Sequence, residues 1–216
     1  MKLTIVLVAG SVLIWVSIVA IYVQAGIGTF DILEIQKVVD DRFSSDFQKL
    51  FFPMMMIGFG ILAGLWPFHT WSPDGHVAAP TAVSMVHAGV LMKLGAFGII
   101  RLGMMLMPEG AQMWMPLLIA LGAVNVIYGA ISAMGQTDLK YVIGYSSVSH
   151  MGYVLMGIGT LNTFGMNGAV LQMFSHGVMT ALFFAVVGMI YERTHTRDSI
   201  VLEGMAKRMG VIGSLF

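Results

Sequence analysis

The chain is 216 residues long, 57% hydrophobic and 10% charged, with a mean hydropathy of +0.86 and 11 basic residues balancing 11 acidic ones. Globular domains carry about 25% charged residues, so a water-soluble fold is all but excluded, and zero net charge gives no general pull towards nucleic acid or anionic lipid. The lack of cysteine excludes a disulfide framework, a thiolate metal site and a cysteine nucleophile.

A membrane span needs about 20 mainly apolar residues. The first predicted span is 3–23. Its outline imitates a signal peptide, but the apolar run is too long and no clean small-x-small cleavage site follows. The polar segment 24–49 places Ile32, Ile35, Val38 and Val39 at helical spacing, which predicts a short amphipathic helix on the membrane surface. A second span, 50–67, leads into the polar loop HTWSPDGHVAAP. The third, 81–107, ends in Pro108-Glu109-Gly110, and the fourth, 114–134, leads into GQTDLK. The fifth is 141–160 and the sixth 168–191, followed by ERTHTRD; hydrophobicity resumes at Val211. About six spanning helices with short connections predict an all-α, polytopic transmembrane bundle, one membrane domain over 1–216. The 26 glycines suit such packing, because small residues let helix backbones approach.

Lysine and arginine in the loops predict orientation. Lys2, Lys140, Arg193, Arg197, Lys207 and Arg208 fall on one side, and Lys37, Arg42, Lys49 and Arg101 on the other. The modest bias puts the N-terminus, HTWSPDGH, QTDLK and the tail on the cytoplasmic side.

Lys93 is the residue that most needs explaining. It lies near the middle of the third span, about 18–20 Å from either end at 1.5 Å per residue, beyond the reach of a snorkelling side chain. Ionisable groups at that depth are kept mainly where they face a protein interior or a water-filled path. Desolvation disfavours a buried ammonium, so such a lysine can take and release a proton as neighbouring charge changes. His150 has Ser146 and Ser147 a turn before it and Tyr153 a turn after; His176 has Gln172 and Thr180 at four-residue spacing on either side. Each histidine sits on a polar stripe of an apolar helix. Each alone fits a hydrogen bond to a neighbouring helix; together with Lys93 they point to a connected hydrophilic path, since histidine shuttles protons near neutral pH. His87, six residues before Lys93, lies round the helix from it and fits local bonding equally well. Asn125, Tyr128 and Ser132 form a milder stripe that reads as packing, and Asp138 and Lys140 read as solvated loop anchors. Gly58, Gly60, Gly64 and Pro67 weaken the second span, either as a broken helix beside an ion path or as a close helix contact. No histidine pair has i, i+4 spacing and no helix supplies an acidic partner, so metal binding is disfavoured. No nucleophile–base pair or nucleotide loop supports a soluble enzyme.

The segments WPFHTWSPDGHVAAPTAVSMVHAGVLMKLGAFGIIR, GQTDLKYVIGYSSVSHMGYVLMG, SHGVMTALFF and YERTHTR together resemble the antiporter-like proton-pumping membrane subunits of respiratory NADH–quinone oxidoreductase (complex I), chain M or chain 4 in particular. The resemblance runs along the whole chain. It implies a proton-translocating subunit of a membrane enzyme that binds no cofactor itself; NADH, FMN, iron–sulfur clusters and quinone belong to partner subunits. It implies other membrane-arm subunits and lipid as partners, no nucleic acid, and a bacterial plasma or inner mitochondrial membrane. Lys93 matches the central lysine of the family's charged axis, and His150 and His176 match histidines continuing it. His87, Ser146, Gln172 and Thr180 are secondary pathway candidates.

Three departures stand against the family pattern. The lysine and proline expected before HTW are Leu62 and Gly64 here. The glutamate that the lysine would pair with falls before Met1, and a late charged residue falls beyond Phe216. The chain thus matches the middle of a longer fold, as a fragment or split gene product, or as a diverged subunit with an altered first half-channel. Subunits of multi-subunit Na⁺/H⁺ antiporters, membrane-bound hydrogenases and a structural, non-pumping subunit are the alternatives.

Overall fold

The computed structural model describes residues 1–204; Lys207, Arg208 and the renewed hydrophobicity at Val211 lie outside the described residues. Among those described, the secondary structure is helical apart from one isolated antiparallel bridge, Asp138 to Asp198. Five segments are long and apolar enough to cross a membrane: Lys2–Ala25, Ser45–Ala78, Thr81–Met104, Pro108–Met134 and Thr163–Thr194.

Helix α1 (Lys2–Ala25) stops at Gly26, which takes the left-handed conformation (φ 60°) that ends helices cheaply without a Cβ. The amphipathic segment differs from expectation. It forms two short helices, α2 (Ile32–Lys37) and α3 (Val39–Arg42), because Val38 leaves the helical region at φ −108°, ψ 2°. Ile35 and Val39 are buried on the bundle, so its apolar stripe packs on protein. The exposed Lys37 bonds Glu34 at 2.7 Å, and that bond with the carboxylate's charge raises its pKa above the ordinary 10.5.

Helix α4 (Ser45–Ala63) is capped by the Ser44 hydroxyl, which accepts from the Phe47 amide. It ends at Gly64, whose φ of +82° is open to glycine and costly for other residues. Beyond this break the structure corrects the sequence reading. HTWSPDGHVAAP is no polar loop: it forms a 3₁₀ turn, Phe68–Thr70, and then α5 (Trp71–Ala78), packed against α9. Trp71 is buried and its indole N–H donates to the Ile61 carbonyl at 2.9 Å, folding the turn back onto α4. Pro73 sits in the first turn of α5, where a missing N–H breaks no helical bond.

The span Thr81–Met104 is continuous but not uniform. Two α-helical pieces, α6 (Thr81–Val86) and α7 (Met92–Gly98), are joined and followed by wider π turns, His87–Leu91 and Ile99–Met104. Such turns take up an extra residue and recur at functional sites. Then come α8 (Pro108–Met134), α9 (Leu139–Gly159) and α10 (Thr163–Thr194).

Helix α9, expected as the fifth span, is absent from the five apolar segments, and its position explains why. It packs against α8, α10 and α5, and 12 of its 21 residues are buried. A helix enclosed by protein can carry Lys140, Ser147, Ser149 and His150 without offering them to hydrocarbon. Backbones meet closely at its seam with α8, where a Cβ on Gly152 would lie 2.6 Å from the Gly122 carbonyl oxygen. Outside, α1 and α10 expose Val8, Val12, Trp15, Val19, Leu171, Phe174 and Val178, an apolar surface suited to lipid or further helices.

Candidate proton-pathway site

The site forms where Thr81–Met104, α10 and α9 converge. Gly89 in the first π turn faces Gly177 of α10, and a Cβ on Gly177 would stand 2.8 Å from the Gly89 carbonyl oxygen. This close approach brings Lys93 onto α10. Its Nζ lies 2.6 Å from Nδ1 of His176 and donates to the Ala88 carbonyl, a group the π turn turns towards it. His176 is 1% exposed, and the Thr180 hydroxyl donates to its carbonyl at 2.6 Å. The rings of His176 and His150 stack at 5.1 Å between centroids, 28° apart. Gln172 Nε2 donates to His150 Nδ1 at 2.9 Å, leaving the proton of the neutral ring on Nε2. Lys93, His176, His150 and Gln172 therefore form one continuous line across three helices.

The other candidates divide. Thr180 holds the His176 backbone. Ser146 is half-buried on α9 and is not bonded to His150, and Ser147 instead donates back to the Ile143 carbonyl at 2.9 Å. His87 does point away from Lys93: its ring faces His76 of α5, 6.1 Å between centroids. Leu62 is half-buried in the last turn of α4. A groove of about 690 Å³ between Thr81–Met104 and α10, walled by residues such as Leu94, Phe97, Met173 and Phe174, has Lys93 as its one charged lining residue among the described residues.

Two histidines were missed by sequence reasoning. His69 and His76 are 2% and 1% exposed, and among the described residues neither has a hydrogen-bond partner on either ring nitrogen. Their spacing of seven, two helical turns, was the available signal, hidden because Pro, Asp and Gly in HTWSPDGH read as loop. His69 meets the edges of Tyr128 and Tyr145, at 4.9 and 6.5 Å. Lys140 also departs from expectation: it is 5% exposed, its amine donates to the Ala79 carbonyl at 2.7 Å, and Asp138 caps α9 and pairs with Arg197 at 3.1 Å. Asn125 is more than packing. It closes the α4 break, accepting from the Trp66 amide at 2.6 Å and donating to the Gly64 and Val148 carbonyls at 2.9 and 3.4 Å.

A lysine–histidine line inside a bundle of apolar, membrane-length helices defines a membrane protein with ionisable groups in its interior. Residues 1–216 match the family described as NADH:quinone oxidoreductase/Mrp antiporter, transmembrane, and the chain belongs to that family. It is 44% identical over 207 residues to the NAD(P)H-quinone oxidoreductase chain 4 1 of Picosynechococcus sp., covering 96% of this chain and 38% of the relative. It superposes on a chain of respiratory complex I from Thermus thermophilus with bound NADH at a TM-score of 0.84 and 26% identity, covering 91% of this chain and 42% of that one. For the Mrp complex from Dietzia sp. the TM-score is 0.82 at 26% identity, covering 98% of this chain and 24% of that one. The chain spans about 30 to 39% of the length of the curated relatives it matches.

Proposed function

We propose that this chain is a proton-translocating portion of a complex I-type NADH–quinone oxidoreductase membrane subunit, working beside other membrane-arm subunits. The observation that carries the reading is the 2.6 Å contact of Lys93 with His176, extended by the stacked His150. Bonds of this length let a proton pass without large motion. The Lys93 ammonium gives a proton to Nδ1 of His176 and becomes an amine; His176 releases the proton on Nε2 through water to Nδ1 of His150 as the Gln172 amide gives way, and His150 passes on the proton of its own Nε2, so that each ring returns to the neutral form and resets by turning over. A change of charge elsewhere in the complex would set the direction, since an amine in apolar surroundings responds strongly to nearby charge. The redox groups that supply the energy sit in partner subunits, and this chain contributes the path.

The test is proton pumping measured against quinone reduction in membranes carrying Lys93→Met, with assembly followed on native gels. The variant is expected to assemble while pumping falls by on the order of 10²-fold. Assembly and pumping both unchanged would overturn the reading and leave a structural subunit. The likeness to the Mrp complex favours a second reading, a subunit of a Na⁺/H⁺ antiporter; transport driven by a sodium gradient, with no coupling to quinone, would select it.

A further inference from the structure

A polar cleft opens where the end of α5, the start of Thr81–Met104, the first turn of α9 and the last turns of α10 meet. We propose that it binds the phosphate of an anionic phospholipid, held by Lys140 and Arg197 with the hydroxyls of Thr81 and Tyr191. The site is separate from the lysine–histidine line and stands whether or not the chain pumps.

The cleft has a volume of about 360 Å³, and its walls include Ala79, Thr81, Lys140, Gly188, Tyr191 and Arg197. Thr81 begins one membrane-length segment and Thr194 ends another, which puts the cleft at the level of lipid headgroups. Among the described residues its walls hold two cations, Lys140 and Arg197, and no carboxylate. Asp138, outside the lining, pairs with Arg197 at 3.1 Å; Lys140 has no acidic partner among the described residues. Lys140 is 5% exposed, and its ammonium donates to the Ala79 carbonyl at 2.7 Å, which leaves further N–H donors for a guest. Arg197 is held in place by Asp138, by the Val77 carbonyl at 3.4 Å and by the Tyr191 ring, whose centroid is 5.6 Å from the guanidinium carbon. The segment that carries it is fixed too. The Leu139 amide donates to the Arg197 carbonyl at 3.0 Å, and the Ser199 amide to the Thr137 carbonyl at 2.9 Å.

A buried ammonium without a carboxylate is costly unless something negative completes it. A tetrahedral phosphate can accept from Lys140 at the start of α9 and from Arg197 beyond the end of α10 at once, which ties the two helix ends together. Basic pockets between spanning helices at this level take anionic headgroups. A choline headgroup would bring its own cation against Lys140 and Arg197, so the cleft selects against zwitterionic lipid. Apolar surface below the cleft favours a lipid over free phosphate. Thr81, Met85 and Gly89 on one span, and Gly188, Ala181 and Gly177 on α10, recur at helical spacing along one seam. Met85 and Ala181 already wall the apolar groove, beside the exposed Val86 and Val178. At 1.5 Å per residue that groove begins about 6–10 Å below Thr81 and Gly188. An acyl chain leaving the cleft can follow the seam into it, whereas a free phosphate gains nothing from that surface.

The test adds phosphatidylglycerol with a photoactivatable group on its acyl chain to the whole detergent-purified complex, and reads labelling of Thr81–Met104 and α10 by peptide mass spectrometry. Unlabelled phosphatidylglycerol is expected to compete the label away, and phosphatidylcholine and inorganic phosphate are expected not to. Lys140→Gln keeps a donor for the Ala79 carbonyl but drops the charge. It should lower labelling about tenfold, the loss of roughly one charge-assisted hydrogen bond. Lys2→Gln removes an exposed cation from the same end of the bundle and should label as the parent does. Absence of label, or equal competition by phosphatidylcholine, overturns the proposal and leaves ordinary boundary lipid. Competition by inorganic phosphate overturns it in favour of a soluble anion. Unchanged labelling in Lys140→Gln, or an equal fall in Lys2→Gln, overturns it as well. The competition arms use the parent complex alone, so they decide the matter should Lys140→Gln fail to assemble.

Discussion

Two buried polar clusters in this bundle are built to opposite rules. Around Asn125, where α4 breaks at Gly64, the side chain donates to two carbonyls and accepts from one amide, so little of its hydrogen-bonding capacity is spare. Around Lys93, the neighbouring rings keep capacity in hand: among the described residues, Nε2 of His176, Nδ1 of His87 and both nitrogens of His76 have no protein partner. A satisfied buried network rigidifies, whereas an uncommitted one is costly and is retained where the groups act. The first cluster holds a shape, and the second keeps the open ring nitrogens that the proposed pathway requires.

The comparison breaks most directly at His176. Replacing it by leucine removes the acceptor for Lys93 and the ring stacked on His150. His176→Leu is expected to reduce pumping on the order of 10²-fold with little change in assembly, measured as protons moved per quinone reduced. Asn125→Leu should do the reverse. It leaves the Trp66 amide without its partner and the Gly64 carbonyl buried and unpaired, the latter a loss of about 1–3 kcal/mol. The expected outcome is a lower melting temperature and less assembled complex, with normal pumping per assembled complex. Loss of pumping without loss of stability in Asn125→Leu would erase the distinction between the clusters.

How far these clusters were legible in sequence depended on the distance over which each is made. Lys93, His150 and His176 stand out because an ionisable side chain in an apolar run is conspicuous wherever the helix faces. That Lys93 meets His176 could not be read, since the two are 83 residues apart and meet only because Gly89 and Gly177 let the backbones close. The polar stripes offered both Gln172, which bonds His150, and Ser146, which sits on α9 with His150 and does not bond it. Lys140 read as solvated because it opens a helix beside Asp138; it is buried with its amine on the Ala79 carbonyl, 61 residues earlier in the chain. The spans were legible from hydropathy, α9 included: the fifth span expected at 141–160 is the helix Leu139–Gly159, although its polar residues and its enclosure by protein make it the least apolar of the set.

Gln172 gives the finest test, because it touches the path without belonging to it. Its amide donates to Nδ1 of His150 at 2.9 Å, fixing both the tilt of the ring and the tautomer with the proton on Nε2. Gln172→Leu should leave His150 stacked on His176 but free to adopt either tautomer. Losing one neutral hydrogen bond of about 1 kcal/mol slows a step by about fivefold, well short of the loss expected at His176. Gln172→Glu sharpens the point. A carboxylate there would draw a proton onto Nδ1 and hold the imidazolium, so protons would reach His150 and fail to leave, and pumping should fall further than in Gln172→Leu. A positioning role requires that order, leucine milder than glutamate. If the two variants were equal, Gln172 would be only a filler of space beside His150.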